Sequence, residues 1–130
     1  SIYNMKKIIN TSNAPAPIGP YNQAILSNGT LYISGQIPLN PKNGELVSGD
    51  IKKETKQSME NLKAILTEAE MTFENVVKSS IFLSDMKQFT EVNEVYASYF
   101  NAETAPARET VEVANLPKFV NVEISMIAVK

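Results

Sequence analysis

Downstream of Asp50, apolar or small residues return at helical spacing: Ile51, Thr55, Ser58 and Met59, Leu62, Ile65 and Leu66, then Ala69. Lys52, Lys53, Glu54, Lys56, Glu60, Lys63 and Glu68 fall on the opposite side. With Asp50 as N-cap, this spacing predicts a one-sided helix of about five turns covering something apolar. A second stripe, Phe89, Val92, Val95/Tyr96 and Tyr99/Phe100, follows Asp85 and Gln88, which have the spacing of a capping box. The remaining apolar runs are β-branched or aromatic and read as strands: 6–10, 21–28, 30–36, 75–84, 108–115 and 119–129. Asn28-Gly29 splits the second and third, and both residues tolerate the positive φ that a tight hairpin demands. Segment 11–20 holds three of the seven prolines and reads as an extended crossing. Segment 37–49 is a long Pro/Gly/Asn-rich connection and a candidate rim for a site. The resulting order is βββ-α-β-α-ββ, an α+β unit over residues 1–130 with both helices on one face of the sheet.

Period-two alternation sorts the last two strands into faces. Val111 and Val113 share one face of 108–115, and Arg108, Thr110 and Glu112 the other. In 119–129, Val120, Val122, Ile124, Met126 and Ala128 oppose Glu123, Ser125, Ile127 and Val129. If the apolar faces lie under the helices, Arg108, Thr110, Glu112 and Glu123 all point away from them. Ile127 and Val129 would share that far face, so the pattern predicts that another surface covers it, such as a neighbouring copy.

Composition narrows the chemistry by what it omits. The chain has no Cys and no His, which removes thiolate nucleophiles, disulfides, Ser-His couples and most transition-metal sites. Twelve basic and fourteen acidic residues give a net charge of -2, so charge provides no general pull toward phosphate backbones or anionic lipid. No apolar run approaches the roughly 20 residues needed to cross a bilayer. No nucleic-acid or membrane partner is expected. The cytoplasm is the expected compartment, with a mitochondrial matrix left open. Met5 fits a natural start, so residues 1–5 are read as an addition or a processing remnant.

Taken singly, the polar residues on these strands have ordinary structural readings. Arg108 can be a solvated surface arginine or a carboxylate clamp. Glu123 can be a solvated acid or half of an acid/base pair. Tyr21 can simply pack its ring at a strand start, Asn93 can be exposed on its helix, and Gly35 can admit another backbone.

Several segments gain meaning when read in order. Pro17-Ile18-Gly19-Pro20-Tyr21-x-Gln23-Ala24 precedes Ser34-Gly35-Gln36-Ile37-Pro38. Then come Phe89-x-x-Val92-Asn93-x-Val95-Tyr96, Pro106-Ala107-Arg108, Val111-Glu112-Val113-Ala114-x-Leu116-Pro117-Lys118 and Val122-Glu123-Ile124. In this order and spacing the chain resembles the reactive intermediate deaminase (RidA/YjgF) family over residues 6 to 130.

The resemblance implies a chorismate-mutase-like α+β fold and a homotrimer with clefts between subunits. It implies hydrolysis of 2-imino acids and their enamine tautomers to 2-oxo acids and ammonia, with no cofactor and no metal. Such imines arise when pyridoxal-phosphate-dependent serine/threonine dehydratases release 2-aminoacrylate or 2-aminocrotonate. It places the family's arginine on Arg108 and its cleft on Tyr21, Gly35, Asn93, Pro117 and Glu123. Arg108 would clamp the carboxylate as a planar fork. Glu123 would orient or activate water, and Tyr21 would cap the substrate or position water. A non-catalytic trimer that binds small carboxylates is the alternative, and a ribonuclease or translation inhibitor is a third.

Two positions depart from the family pattern. Thr110 stands where members often carry Cys two residues after the arginine, which bears on the substrate-binding pocket. The first helix ends Glu68-Ala69-Glu70-Met71 where a Gly is usual; Met71 held at positive φ would cost about 1 kcal/mol, so a different cap is expected there.

Overall fold

The computed structural model describes residues 5–130. Residues 1–4, part of the segment read as an addition or remnant, lie outside the described residues. The strands are β1 (Lys7–Ile9), β2 (Ala24–Ser27), β3 (Thr30–Gln36), β4 (Leu39–Asn40), β5 (Glu45–Leu46), β6 (Val76–Leu83), β7 (Ala107–Glu112) and β8 (Val122–Val129). The helices are α1 (Ile51–Glu68) and α2 (Phe89–Ala97). Six strands form one sheet in the order β1-β2-β3-β8-β6-β7, antiparallel except for the β6–β7 pair. Asn28 and Gly29 turn the β2–β3 hairpin at φ 50° and 80°, as that dipeptide predicts. Segment 37–49, expected as an open connection, folds its middle into the small β4–β5 ribbon.

Helix α1 begins where Asp50 accepts from the backbone N–H groups of Lys52 and Lys53. Its stripe, with Met59, Leu62, Ile65 and Leu66 almost fully buried, packs on the inner face of β8 and β3, where Leu31, Ile33, Val122, Ile124, Met126 and Ala128 are buried. Glu54 does not belong to the polar side as expected. Three residues after Ile51 it lies at the buried edge, 3% exposed, and accepts from Asn121 Nδ2 at 3.0 Å. Asn121 Oδ1 in turn accepts from Ser84 Oγ at 2.8 Å, tying the approach to β8 to the end of β6. At the C-terminus Glu70, not Met71, takes the left-handed conformation (φ 58°). The Met71 N–H reaches back to Leu66 O and the Glu70 N–H to Thr67 O, a Schellman cap, and Met71 is buried. Asp85 caps a short 3-10 turn, Met86–Gln88, through the Lys87 N–H, and α2 continues from it. Among the described residues no helix is long and apolar enough to cross a membrane.

The crossing segment is pinned by one buried side chain. Gln23 Nε2 donates to the carbonyls of Thr11, Ala14 and Pro15, and its Oε1 accepts from the Thr11 N–H at 2.7 Å. Replacing it with leucine strands these groups where water reaches them poorly. We expect Gln23→Leu to cost about 3 kcal/mol and to lower the melting midpoint by roughly 10 °C. An unchanged urea or thermal midpoint would remove Gln23 from that role.

Candidate active site

Strand β7 is the sheet edge, and its register sets which way Arg108 points. Arg108 is paired with Ser79, Thr110 with Ile81 and Glu112 with Leu83. Ser79, Ile81 and Leu83 are buried toward the helices, so their partners turn the same way. This corrects the expectation that Arg108, Thr110 and Glu112 face away from the helices. Val111 takes the outer face instead, beside Phe82 and partly exposed, and Val113 lies past the end of the strand. The valines look like the packed side of the strand, but an edge strand follows the register of its only neighbour.

Arg108 reaches over α2, where Phe89, Asn93 and Tyr96 share a face at i, i+4 and i+7. Its Nη1 donates to Asn93 Oδ1 at 2.6 Å. Its guanidinium carbon stands 5.0 Å from the centroid of Tyr96 and 5.6 Å from that of Phe89. Among the described residues no carboxylate pairs with it. A pocket of about 240 Å³ opens beside it, lined by Asn93, Tyr96, Phe100 and Ala105. Thr110 Oγ1, one pleat further on the same face, is buried and has no hydrogen-bond partner among the described residues. Burial pushes the Tyr96 phenol above its ordinary pKa, against the opposing pull of its Ser79 hydrogen bond and the Arg108 charge.

Glu123 lies on the other face of the sheet, as its alternation with buried Val122 and Ile124 predicts. It faces Phe82 across the β6–β8 ladder. The β3–β8 register shifts between Ile33 and Gln36, and Gly35 occupies that irregularity. A Cβ on Gly35 would lie 2.7 Å from Glu123 Cδ, so only glycine lets the carboxyl fold against the strand. Burial pushes the Glu123 carboxyl above the usual carboxylate range. Tyr21, 48% exposed, lines a groove with Gly35, Ile37, Leu39 and Lys118. The start of segment 37–49 thus edges this groove. Pro117 opens the 3-10 turn Pro117–Phe119 that brings Lys118 there, with Lys118 and Phe119 both at φ 55°.

The candidate residues therefore form two groups in one chain. Arg108, Asn93 and Thr110 lie on the helix side at the sheet edge. Tyr21, Gly35 and Glu123, with the Pro117 turn, lie on the open side. The sequence reading gave Phe89 and Tyr96 no part in the site, placing them in the apolar stripe of α2 and in the ordered segments of the resemblance; their spacing from Asn93 is the signal that joins them to Arg108.

The family model described as Endoribonuclease L-PSP matches residues 11–130. A RutC family protein of Pyrococcus horikoshii is 54% identical over 126 residues, 97% of this chain and 99% of that one. A mouse protein named 2-iminobutanoate/2-iminopropanoate deaminase is 48% identical over 126 residues, 97% of this chain and 93% of its own. The crystal structure of E. coli TdcF with bound serine superposes with a TM-score of 0.90 at 41% identity, covering 96% of this chain and 99% of that chain. The chain therefore belongs to the RidA/YjgF/RutC family, which the Endoribonuclease L-PSP model describes, and it has that family's chorismate-mutase-like α+β fold.

Proposed function

We propose that the chain is an imine deaminase that hydrolyses small 2-imino acids and their enamine tautomers to 2-oxo acids and ammonia, without a cofactor, in clefts between the subunits of a homotrimer. One observation carries the reading: a part-buried guanidinium, fixed on one side by Asn93 and two rings, has no carboxylate partner among the described residues. A planar fork so held is set to receive an external carboxylate through parallel hydrogen bonds. Two relatives support it. The mouse protein bears the deaminase name, and TdcF was solved with serine, a small amino acid with a free carboxylate.

In this reading the two groups meet across a subunit boundary, Arg108 of one copy facing Tyr21, Gly35 and Glu123 of the next. An apolar row supports the contact. Ile8, Ile25, Tyr32 and Ile127 stand in register across four strands of the open face, with Ile8 54% and Tyr32 51% exposed. The substrate carboxylate docks on Arg108, and Thr110 Oγ1 gains a partner. Glu123 takes a proton from a water that Tyr21 helps to place. The water oxygen adds to the carbon of the protonated imine and gives a carbinolamine. Glu123 returns that proton to the amino nitrogen, the C–N bond breaks to release ammonia, and the hydroxyl proton passes to the departing ammonia as the 2-oxo acid forms. Each step is proton transfer, addition or elimination with no change in oxidation state, and positioning provides most of the acceleration. Dehydratases that use pyridoxal phosphate and release 2-aminoacrylate or 2-aminocrotonate would supply the substrate, and the cytoplasm is the proposed compartment.

A second reading, a regulatory trimer that binds small carboxylates, is favoured by the completeness of the Arg108–Asn93 clamp on its own. The ribonuclease named in the family description fits less well with a net charge of -2 and no His. The deciding assay feeds imines from a threonine dehydratase, or from an amino-acid oxidase with several amino acids, to the purified chain. Accelerated release of ammonia and 2-oxo acid supports the deaminase. Binding of 2-oxobutanoate by calorimetry with no acceleration supports the regulator.

A further inference from the structure

In the site reading Tyr96 is only one of two rings beside Arg108, yet its surroundings are more specific than those of Phe89. It is 5% exposed, yet its ring is the nearer of the two that flank the Arg108 guanidinium, at 5.0 Å against 5.6 Å for Phe89. Its hydroxyl donates to Ser79 Oγ at 3.0 Å. Ser79 is fully buried on β6 and is the residue whose backbone stands opposite Arg108 in the parallel β6–β7 ladder. The contacts therefore close a ring: Arg108 to Ser79 through the sheet, Ser79 to Tyr96 through a hydroxyl pair, and Tyr96 back to Arg108 through its π face. A long side chain on an edge strand ordinarily samples several rotamers and loses that freedom when it grips a ligand. Here Tyr96 on one side, Phe89 beside it and Asn93 at Nη1 hold the guanidinium before any ligand arrives. Asn93 engages one nitrogen only, which leaves the rest of the fork to a carboxylate.

We infer that Tyr96 is a positioning residue for carboxylate capture: its ring, anchored through its hydroxyl to Ser79, fixes the Arg108 fork in its binding orientation. The inference rests on the proposed deaminase site and adds a residue to it. Because a preset fork strengthens ground-state and transition-state binding alike, the effect falls on KM and leaves kcat nearly alone.

The test compares Tyr96→Leu, Tyr96→Phe and, as a control for packing loss on the same helix, Val92→Ala; Val92 is 1% exposed and belongs to the core. Tyr96→Leu is expected to raise KM for the imine about tenfold, with kcat within about threefold of the parent. Tyr96→Phe keeps the ring and should recover most of that loss, retaining a small residue from the missing Ser79 anchor. Val92→Ala should lower the melting midpoint without raising KM. An unchanged KM in Tyr96→Leu, an equal rise in Val92→Ala, or no rescue by phenylalanine would overturn the inference. Calorimetric titration of the same proteins with 2-oxobutanoate separates this failure from failure of the deaminase reading. A parent that binds but does not turn over defeats only the latter, and the same order of Kd values is then required. A parent that binds no carboxylate overturns both.

Discussion

Arg108→Ala is expected to lower kcat/KM for a 2-imino acid by roughly 10³-fold, equivalent to about 4 kcal/mol, the contribution of two charge-assisted hydrogen bonds. Fold and assembly should survive, since Arg108 is only part-buried and its hydrogen-bonding partner, Asn93, is itself partly open to water. Arg108→Lys isolates geometry from charge. The ammonium keeps the attraction but not the parallel donors, and it stacks less well between Phe89 and Tyr96, so a loss of about 10²-fold should remain. Steady-state kinetics with matched circular dichroism and a size measurement would check both. A wild-type rate in Arg108→Ala would remove the carboxylate clamp from the mechanism.

The second large effect concerns Glu123, where activity and stability should move in opposite directions. As general base the carboxylate must be ionised, so the rate should climb as pH rises through a pKa held above the usual carboxylate range by burial. Glu123→Gln should reduce kcat by roughly 10²-fold or more and abolish that acid limb. For stability the direction follows from linkage. A carboxyl whose pKa is raised by folding holds its proton more tightly in the native state than in the unfolded chain. Its favourable contribution is present below the unfolded pKa and is lost as pH rises through the raised native value. At neutral pH the half-buried charge is a modest cost, and glutamine removes it. Glu123→Gln should therefore melt higher than the parent at pH 7, and the advantage should vanish in acid. A lower midpoint at pH 7 with an unaltered pH-rate profile would make Glu123 a structural acid.

Much of the architecture is legible in the chain because the relevant signals are local. Asp50 caps α1 where its side chain meets the first free N–H groups, and Asn28-Gly29 turns the hairpin because both residues accept positive φ. The stripe from Ile51 to Leu66 needs only helical geometry to find the sheet. The misreadings come from information that no local pattern contains. The face of Arg108 depends on register against β6, and two valines on an edge strand point to the wrong side. Glu54 looks like one more surface charge until Asn121, distant in sequence, closes on it. The end of α1 differs by one residue from the position considered, with Glu70 rather than Met71 in the left-handed region, because Met71 is drawn into the core. For the site, the family resemblance carried by the ordered segments nominates Arg108, Asn93, Thr110, Tyr21, Gly35, Pro117 and Glu123; singly they have ordinary structural readings. Their division between opposite faces of the sheet emerges only from the strand order β3-β8-β6-β7.

That division makes subunit complementation the sharpest measurement. Arg108→Ala and Glu123→Gln proteins are each unfolded, mixed in equal amounts and refolded together, with each refolded alone as control. If each site joins Arg108 of one copy to Glu123 of the next, the mixture regains roughly a quarter of parental activity, the share of randomly assembled boundaries with both halves intact. Mixed assemblies that form yet stay as inactive as either variant alone would contradict a shared cleft.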